Sequence, residues 1–175
     1  MLPVRGLVLT ANFLSCVLGA AAACAQDSEA TEHAMVLEVG GAAEWPVRGG
    51  ASNVGGTLGG EITPIEHWLE LELGVTALAA ASHTELSGDL LFKKPFRLSS
   101  AAEFMIGAGP SLTRSVRGAE RRTSLSAEFD LDFMFWSRSI FGWYVEPSWS
   151  LDPKNEKRSV GLNIGLLIGL PWAAS

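Results

Sequence analysis

The sequence has few of the features that mark several large protein classes. Its two cysteines, Cys16 and Cys24, both lie near the amino terminus, inside a predicted signal peptide, so we expect no disulfide or thiol chemistry in the mature protein. The net charge is −6, without a block of like charge that would indicate a nucleic-acid partner. Beyond the amino-terminal stretch no apolar run approaches roughly 18 residues, which argues against a helical membrane protein.

The amino-terminal stretch is typical of a cleaved secretory signal. Arg5 precedes an apolar segment, 7–23, which ends in an Ala-Cys-Ala cleavage site, so residues 1–25 are predicted to be a signal peptide. A retained membrane anchor and lipidation of Cys24 are the alternatives. Ala21 argues against lipidation, because it stands where a lipoprotein site usually carries a leucine-like residue.

The carboxyl-terminal segment 159–172 alternates strictly between apolar residues and small or polar ones. Period two is typical of a β-strand, and about 9–11 tilted residues cross a bilayer in this form. Similar patterns predict seven earlier strands, over residues 34–45, 57–64, 68–79, 88–92, 101–112, 124–135 and 143–151.

Eight alternating strands joined by turns and loops predict an all-β fold, an eight-stranded antiparallel transmembrane β-barrel with up-and-down meander topology. We expect a flexible periplasmic lead-in over 26–33 and the outer-membrane barrel over 34–175, with both termini on the periplasmic side. Pro147 falls within a predicted strand, where it would require a bulge.

Alternation alone also fits a lipocalin with an apolar interior. Three observations favour an apolar exterior instead: no predicted strand needs a charge on its apolar face, glycine and serine crowd the polar face, and aromatic residues fall near strand ends, as in the girdles of outer-membrane barrels. Two girdles are predicted. Trp45 and Trp149 fall near the outer end of their strands, whereas the periplasmic ends carry Trp68, Trp143 and Trp172, together with Phe92 and Trp136.

Several segments resemble a group of small proteobacterial outer-membrane β-barrel proteins, generally without assigned function. They are DLLFKKPF, EFMIGAGPSL and VEPSWSLDPKNEKRSVGLNIGLLIGLP. The resemblance covers most of the mature chain and implies a Gram-negative outer-membrane location without naming an active site. Such barrels usually end on an aromatic residue that the assembly machinery reads, whereas Trp172 is followed by three further residues.

The predicted lumen is rich in carboxylates and poor in bases. The basic candidates at strand positions are Lys93 and Arg97, so the carboxylates must hold protons, water, cations or arginines from loops. A hydrated network that fills the barrel and a cation-selective path are the two interpretations. The predicted acidic network comprises Glu38, Glu44, Glu61, Glu70, Glu72, Glu103, Glu128, Asp130, Asp132 and Glu146.

No convincing catalytic constellation is visible, and we predict neither a metal site nor a cofactor. The three histidines are predicted to lie in a lead-in, a periplasmic turn and an outer loop. Ser82, His83 and Glu85 are the one local serine, histidine and acid set of the kind that a lipid hydrolase at the rim would need. Because adjacent strand residues point in opposite directions, this set predicts an enzyme only weakly.

Four arginines, Arg114, Arg117, Arg121 and Arg122, cluster in one predicted outer loop. Arginine suits phosphates, so contact with lipopolysaccharide and a merely solvated loop are both open interpretations. We predict a non-enzymatic barrel with a structural or surface-interaction role, in contact with outer-membrane lipid and lipopolysaccharide. The alternatives are a narrow cation-conducting pore and a rim-sited lipid-modifying enzyme. A monomer is favoured, although the sequence does not fix the oligomeric state.

Overall fold

Eight strands form one closed sheet. The computed structural model describes residues 33–154 and 157–171, so the predicted signal peptide, residues 26–32 of the lead-in and Trp172 lie outside the described residues. The strands are β1 (His33–Pro46), β2 (Asn53–Ile65), β3 (Leu69–Ala79), β4 (Thr84–Arg97), β5 (Ala102–Arg117), β6 (Glu120–Trp136), β7 (Phe141–Asp152) and β8 (Lys157–Pro171).

Each strand pairs antiparallel with its neighbour in sequence, and β1 pairs with β8 to close the barrel. The predicted fold class, an eight-stranded antiparallel up-and-down barrel, is therefore confirmed. Within the described ranges, no helix is long and apolar enough to cross a membrane. The even number of strands brings both ends of the sheet to one side, which we call the periplasmic end by analogy with this class of barrel. The opposite side is called the outer end.

The exterior of the barrel is apolar. Leu73 and Leu166 are 66% and 65% exposed, and large aliphatic and aromatic residues of every strand also point outward. Because such a surface would be costly in water but is matched to hydrocarbon, the barrel faces lipid. The lipocalin-like alternative, with an apolar interior and a polar exterior, is wrong.

Glycines on the inner face make room for side chains from neighbouring strands. A Cβ on Gly165 would lie 2.6 Å from the ring of Tyr144, and one on Gly107 would clash with the carboxylate of Asp130. These positions bear out the crowding expected for glycine in a narrow lumen.

Several predicted boundaries are wrong. The segments predicted as a loop around His83 and as a KKPFRLS turn largely belong to β4, which runs from Thr84 to Arg97 rather than over 88–92. Lys93 and Lys94 looked like turn residues, but they alternate within the strand, the first buried in the lumen and the second directed outward. A lysine can lie on the inner face when carboxylates pair with it. It can lie on the outer face when its ammonium group reaches polar groups at the membrane interface.

The predicted basic loop between β5 and β6 is instead a hairpin of extended strands. β5 continues to Arg117 and β6 begins at Glu120, with Gly118 at a φ of 58° in the turn between them. Pro147 does not require a bulge, since the pairing of β7 with β8 keeps one register through Pro147 and Leu162.

The aromatic residues fall into two groups along the barrel. Trp45 and Trp149 flank Val160 toward the outer end, while Trp143 stacks on Phe135 toward the periplasmic end at a ring distance of 4.2 Å. Trp68 lies exposed beside the β2–β3 turn. Phe92 does not lie at the periplasmic end of its strand as predicted, because β4 continues to Arg97 and Phe92 pairs with Leu71 within it.

Trp136 does not belong to the predicted outward-facing aromatic level. Its indole ring stacks on His33 at 4.3 Å and packs against buried residues of the lumen. Its position follows from the alternation of β6, in which Met134 and Trp136 share the inner row.

We expect a charge on the lipid face to destabilise the barrel. Leu73→Arg places a cation among exposed apolar side chains, which should lower the free energy of unfolding by roughly 2–4 kcal/mol if the site lies near the bilayer midplane. Urea titration of protein folded into lipid vesicles measures this change. Leu73→Ala is the matched control, and equal stability of the two variants would contradict the lipid-facing assignment.

Candidate functional site

The outer end of the lumen opens into a basic cavity, which we call the outer vestibule. Its volume is about 1060 Å³, and residues from β1, β2, β4, β5, β6 and β8 and the adjoining turns line it. The basic lining residues are Arg48, Arg117, Arg121, Arg122, Lys157 and Arg158, and the acidic ones are Glu44, Glu85 and Glu120. Positive charge is therefore concentrated at one end of an acidic protein.

The arginines of the β5–β6 hairpin do not all share this cavity. Arg117, Arg121 and Arg122 line the vestibule, and Arg117 Nη2 donates to Ser82 Oγ at 3.4 Å. Arg114 was predicted to lie in a loop with them, but it belongs to β5, where it pairs with Thr123 and Leu86 in the outward-facing row. The extension of β5 explains the difference, because alternation assigns neighbouring positions to opposite faces.

Beneath the vestibule lies a small cavity of about 50 Å³ with a polar lining. Its hydroxyl-bearing residues are Thr76, Ser87, Ser111, Thr113, Ser148, Ser150 and Ser159. Glu44, Asp89 and Glu128 form the acidic part of its wall. Asn163 connects the cavity to the next layer by donating to Glu146 Oε1 at 2.7 Å.

The next layer is the lysine cluster, which consists of Lys93 with Glu72, Asp130, Asp132 and Glu146. Lys93 Nζ donates to Asp132 Oδ2 and to Glu146 Oε2, each at 3.0 Å, contacts Glu72 Oε2, and lies 3.4 Å from Asp130 Oδ2. All five side chains are buried. In the described part of the chain, Lys93 is the one buried basic residue, so it neutralises charge from three other strands.

The other residues of the predicted acidic network are spread along the lumen. Glu38 and Glu61 are buried beside the lysine cluster, Glu70 pairs in register with Lys93, and Glu103 lies near the periplasmic end. Glu44 and Glu128 line the cavities above. All ten thus lie on the inner face, although at different depths.

Three of these carboxylates come close enough to suggest a metal site. One oxygen from each of Glu38, Glu72 and Glu146 lies within 4.8 Å of the others. However, the ammonium of Lys93 already contacts Glu72 and Glu146. Because a bound cation would face this charge at close range, we assign the position to the lysine.

An apolar cluster, which we call the apolar plug, lies in the lumen toward the periplasmic side. Its members are Val36, Met105, Met134, Tyr144 and Leu167, with Trp136 packed against them. Sequence reasoning treated the inner rows as polar and missed this layer. The sequence does show large apolar residues in inner rows that are otherwise polar. Alternation within single strands, however, does not show that these residues contact one another in the folded barrel.

The β3–β4 turn brings together Ser82, His83 and Glu85. Ser82 Oγ lies 3.5 Å from His83 Nδ1, and His83 Nε2 lies 3.4 Å from Glu85 Oε1. The objection that neighbouring side chains must diverge was wrong, because β4 begins at Thr84 and Ser82 lies in a turn closed by the Ala80 N–H bond to His83 O. All three residues line the outer vestibule.

The fold is shared with several solved barrels. Neisserial surface protein A is 16% identical with a TM-score of 0.64, covering 78% of this chain and 96% of that chain. The N-terminal β-barrel domain of Pseudomonas aeruginosa OprF is 13% identical, with a TM-score of 0.55 and coverage of 76% and 97%. Ail, the attachment invasion locus protein of Yersinia pestis, is 12% identical, with a TM-score of 0.57 and coverage of 79% and 99%.

No family model matches the sequence, and no curated protein is significantly similar to it. At these low identities the solved structures show the fold. Combined with the apolar exterior, they confirm the predicted class, a β-barrel of the Gram-negative outer membrane. The solved structures support the predicted resemblance to small outer-membrane β-barrel proteins, and they assign no narrower family.

We expect the lysine cluster to depend on its one cation. Lys93→Met would leave several buried carboxylates without a partner, and breaking a buried ion pair typically costs about 3–5 kcal/mol. The free energy of unfolding in vesicles measures the effect. Lys94→Met is the matched control, because its Nζ lies on the exterior, 2.5 Å from His67 O, and it should change stability by no more than about 0.5 kcal/mol.

A double variant separates charge from packing in this cluster. Adding Asp132→Asn to Lys93→Met removes one uncompensated charge, so it should recover part of the lost stability. Asp132→Asn alone is the reference for this comparison. If the stability loss of the double variant equals the sum of the losses of the two single variants, Lys93 and Asp132 are not electrostatically coupled.

Proposed function

We propose that the protein is a surface barrel whose outer vestibule binds phosphate or sulfate groups carried by saccharides. The observation that supports this role is the convergence of six basic residues on one cavity, nearly half of the 13 lysines and arginines in the chain. The chain as a whole carries −6, so this concentration is not a result of a basic composition. The proposed role requires binding alone and no catalysis.

The chemistry of the vestibule suits such anions. Arginine presents a planar fork of donors that can meet a phosphate or sulfate through two hydrogen bonds, and lysine adds a point charge. The acidic lining residues Glu44, Glu85 and Glu120 leave an excess of positive charge. The lumen below is acidic, so an anion should stay at the outer end rather than descend.

A solved complex offers a related example on the same fold. Ail of Yersinia pestis has been determined with the heparin analogue sucrose octasulfate, and that chain is 12% identical to this one with a TM-score of 0.55. Lipopolysaccharide of the outer leaflet is a second source of anionic groups on sugars. Both sources share the chemistry that the vestibule would recognise.

Removal of the vestibule arginines should weaken anion binding. For Arg117→Gln, Arg121→Gln and Arg122→Gln combined, we expect the Kd for sucrose octasulfate to rise about tenfold. Three lost contacts at roughly 0.5 kcal/mol each amount to about 1.5 kcal/mol, and about 1.4 kcal/mol corresponds to a factor of ten. Titration calorimetry in detergent measures the Kd, and added salt should raise the wild-type value.

Arg114→Gln is the matched control, because Arg114 lies in the outward row of the same hairpin and not in the vestibule. Mass spectrometry of co-purifying lipopolysaccharide distinguishes the two sources of anion. Octasulfate binding without lipopolysaccharide retention would favour an external saccharide. Equal behaviour of the triple variant and Arg114→Gln would contradict the proposal.

The second candidate, a narrow cation-conducting pore, is less well supported. The lysine cluster and the apolar plug occupy successive levels of the lumen, and Met105 and Leu167 are fully buried there. We therefore expect no discrete conductance steps from the folded protein in planar bilayers. Cation-selective steps of reproducible size would replace the filled-lumen interpretation with the pore.

A further inference from the structure

The outer rim holds a hydroxyl, an imidazole and a carboxylate in linear order. Ser82 Oγ lies 3.5 Å from His83 Nδ1. On the other side of the ring, His83 Nε2 lies 3.4 Å from Glu85 Oε1. Activated serine nucleophiles need this order, in which a base contacts the hydroxyl and a third group orients the base. Both distances are longer than an ordinary hydrogen bond, as is common for catalytic contacts in unliganded sites.

The carboxylate is itself held in place by another strand. Asn53 Nδ2 of β2 donates to Glu85 Oε2 at 3.0 Å, which leaves Oε1 directed toward His83. As an acceptor, this oxygen favours the tautomer of His83 with its proton on Nε2. The lone pair of Nδ1 then faces Ser82 Oγ, so His83 is oriented to accept the hydroxyl proton.

A positive charge lies next to the hydroxyl. Arg117 Nη2 is 3.4 Å from Ser82 Oγ, and its guanidinium is on the adjacent strand β5. A donor at this position could stabilise the oxyanion that forms when a carbonyl is attacked by Ser82. The side chains of His83 and Glu85 remain 17% and 19% exposed, so the group is accessible from the vestibule without being fully solvated.

We propose that the outer rim carries a serine esterase site, with Ser82 as the nucleophile, His83 as the general base and Glu85 as the group that orients the base. The substrate class is a carboxylic ester of a molecule that also bears phosphate or sulfate. The ester chemistry is independent of the proposed binding function, whereas the preference for an anionic substrate rests on it.

The reaction requires no further reagent except water. Ser82 Oγ attacks the ester carbonyl carbon while its proton moves to His83 Nδ1, and the tetrahedral oxyanion is stabilised by Arg117. The bond to the leaving alkoxide breaks as His83 returns the proton to it, which leaves an acyl group on Ser82. Water, deprotonated by His83, then attacks the acyl carbonyl and releases the carboxylic acid and free Ser82.

A fluorophosphonate probe and p-nitrophenyl butyrate test the nucleophile on the folded protein in detergent. We expect wild-type protein to be labelled at Ser82, as located by peptide mass spectrometry. Ser82→Ala should lose the label and hydrolyse the ester at least about 100-fold more slowly, as should His83→Gln, because a positioned base contributes about 10²–10⁴-fold. Differential gel migration of unheated and boiled samples verifies that each variant is folded.

Ser99→Ala is the matched serine control, since Ser99 lies in the β4–β5 turn at the opposite end, where its Oγ accepts a hydrogen bond from Ala101 N. It should keep both label and rate. A folded wild type that takes no label, or a label that persists in Ser82→Ala, would overturn the proposal. Retained labelling in His83→Gln would also overturn it, because it would show a merely exposed hydroxyl.

A second comparison separates catalysis from anion recognition. Arg121 lines the vestibule and has no part in the proposed reaction. Arg121→Lys keeps a charge, so for a butyrate ester that also carries a phosphate group, its KM should stay closer to wild type than that of Arg121→Gln. With the neutral p-nitrophenyl ester the KM values of the two variants should agree. If both esters are hydrolysed with the same KM, the assignment of Ser82 as the nucleophile stands, and anion binding in the vestibule is contradicted.

Discussion

Closure of the sheet is the constraint on which the rest of this structure depends. In lipid, an unpaired backbone N–H or C=O costs several kcal/mol, so the pairing of β1 with β8 is necessary for a barrel that spans the bilayer. Eight strands enclose a lumen just wide enough for side chains to fill. Charged side chains excluded from lipid must therefore share a narrow interior, which explains why one lysine contacts four carboxylates.

Alternation was enough to predict the fold and the faces of its strands. Leu73 and Glu72 fall on the expected opposite sides because adjacent residues of a strand point to opposite faces, whatever the partner strand is. Boundaries were predicted less well. Composition suggested a turn at Lys93, Lys94 and Pro95, but the ion pairs that keep Lys93 in the lumen arise from β3, β6 and β7, which local composition cannot reveal.

The candidate site was harder to predict for the same reason. The acidic residues could be assigned to the inner face from alternation. Which of them contact Lys93 and which line the small cavity depends on the register between neighbouring strands, and alternation within one strand does not give that register. Ser82 and His83 were dismissed by a rule for strands that does not apply in a turn. The arginines of the β5–β6 hairpin were grouped by proximity in sequence, whereas strand extension separates Arg114 from Arg117.

The two ends of the lumen differ in charge and polarity. A basic vestibule, an acidic centre and an apolar plug follow one another from the outer to the periplasmic side. Under the proposed binding function, an anion approaching from outside would meet favourable charge first and unfavourable charge below, so the vestibule and the centre together would retain it at the surface.

The contacts of Lys93 also have a consequence for the order of assembly. Its partners Asp132 and Glu146 follow it by 39 and 53 positions in the chain, so the ammonium is neutralised only when β6 and β7 have joined the sheet. A chain that ends before β7 holds a lysine and carboxylates with incomplete pairing. Such long-range dependence makes the later strands a condition for the stability of the earlier ones, which favours cooperative closure of the sheet.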